Sequence, residues 1–212
     1  MDTLRKRITL PFLLLELGLY AAILLAGRGH YPAIVLCFLF ALVQTPKSLI
    51  TAGLFCTVLA DLCLVVMDPI QRLWGMVFFL GAQILYAIWL SRGKTLLYLR
   101  LGLILMAETV TVLVLGKNTD ALALVSLCYY ANLIMNIVCA FTRLQENKWM
   151  PVALVLFLLC DTVIGLQVMG GLYLPIDGSI LNRILYPGFD LAWLFYLPSQ
   201  VLIALQNKNS RY

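Results

Sequence analysis

The feature that most constrains this chain is a succession of apolar runs, each close to the length of a membrane-spanning helix. An α-helix needs about 20 mainly apolar residues to cross the hydrocarbon of a bilayer. Eight segments approach that length: 8–26, 31–45, 49–67, 73–91, 95–116, 120–142, 150–170 and 185–206. Because the connections between them are mostly short, consecutive helices are predicted to be antiparallel neighbours.

The composition indicates that almost all of the chain lies in lipid. Hydrophobic residues make up 63% of the 212 residues and charged residues only 12%, whereas soluble domains carry about 25% charged residues. We therefore predict an all-α, polytopic membrane protein that forms a single domain over residues 1–212. The first apolar run has the length of a span and no small-residue cleavage site, so it is not expected to be a signal peptide.

The basic residues predict the orientation, because Lys and Arg in short loops accumulate on the cytoplasmic side. With eight spans, one side holds eleven of them: Arg5, Lys6, Arg7, Lys47, Arg92, Lys94, Arg100, Arg143, Lys148, Lys208 and Arg211. The other side holds four: Arg28, Arg72, Lys117 and Arg183. Both termini are therefore predicted to be cytoplasmic, and the net charge of +5 does not indicate a nucleic-acid partner. The compact loops favour a bacterial cytoplasmic membrane.

The positions of the cysteines and the histidine do not favour a metal site or a Ser-His-Asp catalytic triad. The six cysteines are scattered through apolar runs without a CxxC motif, and His30 is the single histidine. We therefore expect free thiols, no metal site and no cofactor. The chain also lacks the GxSxG motif of serine hydrolases.

Two acidic residues stand out because they fall in the middle of predicted spans. A carboxylate at the centre of a membrane helix costs about 2.5–3.5 kcal/mol, so it normally faces a cavity, a partner or a substrate. Asp61 and Asp161 both lie roughly 17–18 Å from the cytoplasmic face at 1.5 Å of rise per residue. Two carboxyl groups in one site of low dielectric constant can hold one proton between them, which supplies a general acid beside a general base.

Further polar residues lie near this depth, or one turn away from such a residue on the same face of its helix. They could bind or orient a substrate. This set comprises Gln83, Tyr86, Tyr130, Asn132, Tyr196 and Gln200. Tyr129 also falls near the same level. Because glutamine, asparagine and tyrosine commonly join membrane helices, each of these residues is equally compatible with a structural role. Glu16 and Glu108 are weaker candidates.

Four segments resemble the YhhN family, which includes the animal lysoplasmalogenases. In chain order they are Gly53–Val65, Phe78–Leu90, Val152–Leu166 and Phe195–Leu205. At the positions of the family motifs they place Asp61, Tyr86, Asp161, Tyr196 and Gln200. Each motif alone is loose, but their order and spacing make the resemblance specific, and together with the eight spans it covers nearly the whole chain.

The resemblance implies an ether hydrolase that cleaves the vinyl ether bond of lysoplasmalogens and releases a fatty aldehyde and a glycerophospho-base. The substrate would be a membrane lysophospholipid, and Asp61 and Asp161 would be the catalytic pair, without a cofactor. Two departures bear on the substrate more than on the fold. Gln83 stands where the family usually has histidine, and Ala60 and Cys160 precede the two aspartates in place of serine or glycine.

Two other classes of function remain open on the sequence alone. A small transporter could relay protons or cations through Asp61, Glu108 and Asp161, although it would more often show inverted repeats and broken helices. A non-enzymatic membrane protein could use the carboxyl groups only to join helices. A lipid-accessible pocket at both aspartates favours the hydrolase, and carboxyl groups fully engaged by neighbouring helices favour the non-enzymatic protein.

Overall fold

The structure is a computed structural model that describes residues 2–90, 94–116, 119–172 and 180–206. All regular secondary structure within these ranges is helical. The helices are α1 (Asp2–Ala26), α2 (His30–Gln44), α3 (Leu49–Asp61), α4 (Arg72–Leu90), α5 (Lys94–Leu115), α6 (Ala121–Phe141), α7 (Trp149–Leu172), α8 (Ile180–Leu185) and α9 (Leu191–Gln206). Directly after Asp61, α3 continues as a π-helical segment, Leu62–Val66.

Six of these helices are long and apolar enough to cross a membrane: α1, α3 with its π-helical segment, α4, α5, α6 and α7. The apolar helices α2 and α9 are shorter, at 15 and 16 residues. Many large apolar side chains are exposed on the outside of the bundle, among them Leu14, Leu105 and Leu113. Such a surface belongs in lipid rather than in water. The predictions of an all-helical fold and of an integral membrane protein are therefore confirmed.

The core of the bundle is formed by α2, α3, α4, α6, α7 and α9, whose facing side chains make one buried cluster. The closest neighbours are α3 with α4, α4 with α6, and α7 with α9. In contrast, α5 packs mainly against α6, and much of its surface is exposed. The central helices therefore determine the positions of most polar groups inside the bundle.

One end of the bundle is marked by Arg143, just after α6. Its Nη1 donates a hydrogen bond of 2.8 Å to the carbonyl oxygen of Trp89 near the end of α4, and its Nη2 lies 2.6 Å from Glu146. A basic side chain is favourable there because the last carbonyl groups of a helix lack intrahelical partners. We call this the Arg143 end: α4 and α6 finish at it, and α3, α5 and α7 begin at it.

The last helix begins at Leu191, later than the start at residue 185 that the sequence predicted. Pro187 and Gly188 separate it from α8, and Gly188 has a φ of +88°, a conformation that glycine adopts without strain. Asp190 then caps α9, because its Oδ1 accepts a hydrogen bond of 3.2 Å from the Trp193 amide. Because the residues around this break are mostly apolar, the hydrophobic pattern did not predict it.

Glycine allows α3 and α4 to approach closely. A Cβ atom at Gly53 of α3 would overlap the ring of Tyr86 on α4, and one at Gly75 of α4 would lie 2.5 Å from Cγ of Leu64. Small residues at such positions allow the backbones of membrane helices to pack closely. The Tyr86 side chain is fully buried by this contact.

We expect Gly53→Ala to lower the free energy of unfolding by about 1–3 kcal/mol, because overpacking forces neighbouring side chains or backbones apart. The measurement is the thermal unfolding midpoint of the purified protein in detergent. Gly165→Ala in α7 is the control, since a Cβ atom there meets nothing within 4 Å and alanine favours helix. Equal midpoints for the two variants would contradict the close α3–α4 contact.

Candidate functional site

Asp61 lies at the last residue of α3, where the helix changes from α to π geometry. Short π-helical segments occur often at functional sites. The side chain is only 3% exposed, and its Oδ2 accepts a hydrogen bond of 2.7 Å from the hydroxyl of Tyr196 on α9. A carboxyl group from one helix is thus held by a phenol from another.

Asp161 on α7 is held in the same way. Its Oδ2 accepts a short hydrogen bond from the hydroxyl of Tyr129 on α6. Asp161 is partly exposed, unlike Asp61. At the next residue of each helix, Tyr130 of α6 and Thr162 of α7 share a hydrogen bond of 3.1 Å. The two helices are therefore joined by adjacent polar pairs.

The two tyrosines belong to one group of four rings, which we call the aromatic cluster: Phe79, Tyr129, Phe157 and Tyr196. Ring centroids are 5.5 Å apart for Phe157 and Tyr196, 5.8 Å for Phe79 and Tyr129, and 5.7 Å for the two phenylalanines. All four side chains are buried. The tyrosine that binds each aspartate therefore packs against the same two phenylalanines.

Both aspartates are bonded to tyrosines of the aromatic cluster. Cys160, which precedes Asp161 in α7, is 3% exposed and belongs to the same buried core as that cluster. The structure therefore gathers both acidic residues around the aromatic cluster. One of them reaches it from α3 and the other from α7.

A second group of polar side chains joins α4, α5 and α6. Arg100 of α5 is 7% exposed; its Nη1 donates to Oδ1 of Asn132 at 2.8 Å, and its Nη2 donates to Oδ1 of Asn136 at 2.9 Å. Asn136 in turn donates through Nδ2 to Oε1 of Gln83 at 2.8 Å. We call Gln83, Arg100, Asn132 and Asn136 the arginine cluster.

The two groups lie at different depths. Asp61, Tyr129 and Asp161 are each about 18 Å along their helices from the Arg143 end, at 1.5 Å of rise per residue. Counted in the same way, Gln83 and Arg100 are only about 9–11 Å from that end. The sequence placed all of these side chains except Arg100 in one layer, whereas the structure separates the arginine cluster from the carboxyl groups.

The remaining predicted residues lie around these groups. Tyr86 packs over Gly53 and beside Thr57, one turn before Asp61. Gln200 is fully buried in α9, one turn after Tyr196, and its amide atoms have no hydrogen-bond partner among the described residues. Neither residue contacts a carboxyl group through a hydrogen bond in that part of the chain.

The sequence predicted no site role for two residues of these groups, Arg100 and Tyr129. Arg100 was counted among the cytoplasmic loop residues, yet it lies inside α5 and is buried. The pair Asn132 and Asn136 on one helix face was the signal that a polar partner on another helix was needed. Tyr130 was preferred to its neighbour Tyr129, although only a rotation of the helix decides which of the two reaches Asp161.

Two further acidic side chains, the buried Glu16 and the partly exposed Glu108, have separate partners. Glu16 accepts a hydrogen bond of 3.3 Å from the Cys37 thiol, and Glu108 accepts one of 3.0 Å from the Cys128 thiol. Within the described ranges, no three His, Cys, Asp or Glu side chains are grouped as a metal site requires. The site therefore consists of carboxyl, phenol and aromatic groups.

A shallow groove of about 400 Å³ lies away from the two aspartates. It is lined by Leu24, Leu25, Pro187, Gly188, Phe189 and Leu194. These residues come from the end of α1, the segment before α9 and the first turn of α9, and none of them belongs to the site described above.

Comparison with known proteins gives one match. The sequence model of the YhhN family matches residues 7–207, which is nearly the whole chain. No curated protein and no solved structure matches the chain.

We expect Tyr196→Phe and Tyr129→Phe each to lower the free energy of unfolding by about 1–3 kcal/mol, because each leaves a carboxyl group without its hydrogen-bond donor. The rings remain, so packing in the aromatic cluster is preserved. Denaturation in mixed micelles measures the change, and Tyr186→Phe is the control because that side chain is exposed. If both test variants were as stable as Tyr186→Phe, the tyrosine–aspartate bonds would contribute nothing to the fold.

Proposed function

Because the chain belongs to the YhhN family, we propose that it is a membrane-embedded hydrolase that cleaves the vinyl ether bond of lysoplasmalogens. The products are a fatty aldehyde and a glycerophospho-base. The observation that carries the proposal is the pair of aspartates inside apolar, membrane-length helices, each held by a tyrosine of one aromatic cluster. Such costly groups are typical of functional sites in membrane proteins.

The reaction needs an acid, a base and water. The alkene carbon farther from the ether oxygen takes a proton from the acid, and its π electrons form the new C–H bond. The remaining cation is shared between carbon and oxygen, as in the oxocarbenium-like transition state of glycoside hydrolysis. Water adds to that carbon and gives its proton to the base. In the last step the protonated base gives its proton to the glycerol oxygen as the C–O bond of the hemiacetal breaks, so glycerol leaves as the alcohol. The ionised acid takes the hemiacetal O–H proton, which leaves the aldehyde and restores both carboxyl groups to their starting states.

Asp61 and Asp161 supply the acid and the base in this scheme, and either assignment is compatible with their partners. Tyr196 and Tyr129 orient the two carboxyl groups through their hydrogen bonds. Proton transfer by positioned side chains contributes about 10²–10⁴-fold to a rate. The faces of the aromatic cluster would stabilise the positive charge that develops between protonation and water attack. This scheme requires no cofactor.

The difference in burial between the two aspartates suggests a direction of approach for the lipid. Asp161 is partly exposed and Asp61 is buried, so the substrate would enter beside α6 and α7 and reach Asp161 first. The hydrogen-bonded pair of Tyr130 and Thr162 lies next to that entrance. Gln83 is bound to Asn136, so its role would be exerted through the arginine cluster rather than on the carboxyl groups.

A non-enzymatic membrane protein is the second candidate, and one observation favours it. Each aspartate already has a tyrosine partner, and the groove described above lies elsewhere, as expected if the carboxyl groups only join helices. Proton or cation transport has less support, because Glu108 pairs with the Cys128 thiol rather than continuing a line of carboxyl groups.

We also propose that α2 and α9 cross the membrane, which gives eight spans, cytoplasmic termini and, from the compact loops, a bacterial cytoplasmic membrane. Their side chains are part of the central core. A helix of 15 or 16 residues covers only about 22–24 Å, so flanking turn residues would complete each crossing. Fusions at the C-terminus test this topology: green fluorescent protein should fluoresce and alkaline phosphatase should be inactive. The reverse pattern would place the C-terminus outside.

We expect Asp61→Asn and Asp161→Asn each to lower aldehyde release from a lysoplasmalogen at least about 100-fold, because each removes a group that transfers a proton. Purified protein is incubated with a lysoplasmalogen and, in parallel, with an ester-linked lysophospholipid, and aldehyde and free fatty acid are measured. Glu16→Gln is the matched control, since Glu16 and Asp61 are both 3% exposed but Glu16 lies outside the site.

Thermal unfolding of all three variants separates loss of activity from loss of fold. Full activity in both Asn variants would overturn the catalytic roles. Release of fatty acid from the ester substrate, without aldehyde from the ether, would replace the proposed reaction with ester hydrolysis.

A further inference from the structure

Arg100 is the one buried side chain of the arginine cluster with a permanent charge, and its described partners are all neutral. They are the amide oxygens of Asn132 and Asn136 and, at 3.9 Å, the thiol of Cys139. Across the described ranges, no carboxylate oxygen lies within 4.0 Å of this guanidinium. A buried charge normally has a counter-charge, and here the described chain provides none.

The cluster also offers more hydrogen-bond donors than acceptors. A guanidinium carries five N–H groups in a planar fork that matches carboxylate and phosphate oxygens. Gln83 is fully buried; its Oε1 accepts from Asn136, but its Nε2 has no hydrogen-bond partner among the described residues. Arg100 and Gln83 are both bonded to Asn136. A positive charge and a spare amide donor in one cluster are the chemistry of a site for an oxyanion.

The spacing between the arginine cluster and the aspartates matches the spacing between the phosphate and the vinyl ether of a lysoplasmalogen. Arg100 lies about 9 Å from the Arg143 end, and the aspartates lie about 9 Å deeper, by the rise along their helices. In a lysoplasmalogen, seven bonds separate the phosphorus from the alkene carbon that takes the proton. At the extension of a stretched chain, about 1.2 Å per bond, this spans about 8 Å.

Resting on the proposed function, we propose that the arginine cluster binds the phosphate of the lysolipid substrate. The Arg100 guanidinium neutralises the phosphate, and Gln83 Nε2 donates a further hydrogen bond to it. The phosphate then sets how deep the chain enters, so that the vinyl ether reaches the level of Asp61 and Asp161. Asn132 and Asn136 are positioning residues, because they hold the guanidinium in place.

Arg143 provides a matched comparison. It lies at the same end of the bundle, but its charge is already neutralised by Glu146 at 2.6 Å. Removing this guanidinium should therefore not change phosphate binding. Removing the Arg100 guanidinium should weaken phosphate binding.

The test uses two lipids that lack a vinyl ether and are not cleaved: 1-O-hexadecyl-glycero-3-phosphate and 1-O-hexadecylglycerol. Binding to the full chain in detergent is measured by native mass spectrometry. We expect the wild type to bind the phosphate lipid at least tenfold more tightly than the alcohol. Arg100→Gln should abolish this preference and leave the affinity for the alcohol unchanged, whereas Arg143→Gln should retain the preference.

Equal affinities of the wild type for the two lipids would overturn the assignment. So would an equal loss of both affinities in Arg100→Gln, which is the result expected if Arg100 only holds α5 to α6. If Arg100→Gln does not fold, Arg100→Lys takes its place: it keeps the charge but loses the fork, so the preference should fall without vanishing. An unchanged preference in Arg100→Lys would count against bidentate binding of the phosphate.

Two further results separate related ideas. Millimolar inorganic phosphate should not displace the phosphate lipid, and displacement would mean that the cluster binds free phosphate rather than a lipid headgroup. Because neither lipid is a substrate, the binding result is independent of hydrolysis. Phosphate-dependent binding without aldehyde release would overturn the proposed reaction and leave the Arg100 assignment intact.

Discussion

The structure depends on how an acidic side chain is accommodated inside lipid. Lipid hydrocarbon offers no hydrogen bonds, so a carboxyl group at that depth needs a hydrogen-bond donor from a neighbouring helix. Asp61 and Asp161 each obtain it from a tyrosine, on α9 and α6 respectively. The first bond joins α3 to α9, which are distant in sequence, and the second joins the consecutive helices α6 and α7. Both tyrosines pack in the same aromatic cluster. The polar requirement of the two acids therefore fixes how four helices meet.

The arginine cluster applies the same rule to a cation, with a different outcome. Asn132 and Asn136 satisfy part of the hydrogen-bonding capacity of Arg100, but amides cannot neutralise its charge. Each aspartate has a hydrogen-bond donor in its tyrosine. The described partners of Arg100 are neutral, so its charge is not balanced. This difference is the reason to assign an anionic ligand to the arginine cluster and proton transfer to the carboxyl groups.

The two clusters together suggest how a single-chain lipid would be bound and positioned. One end of the lipid is anionic and belongs near the membrane surface, and the reacting bond lies a few bonds deeper. Two polar layers about 9 Å apart along the helices correspond to that spacing. The close glycine contact between α3 and α4 holds these layers in register, because α3 carries Asp61 and α4 carries Gln83.

The sequence by itself determined the helical class, the membrane environment and most helix boundaries, because apolar length and breaker residues act locally. It also made Asp61 and Asp161 the leading candidates for a site, since a charge in the middle of an apolar run is costly wherever the helix packs. Only the tertiary structure decided the partners: Tyr129 rather than Tyr130 reaches Asp161, and Arg100 lies inside the bundle. Those outcomes depend on the rotation and depth of each helix relative to its neighbours, which the hydrophobic pattern of a single helix does not specify.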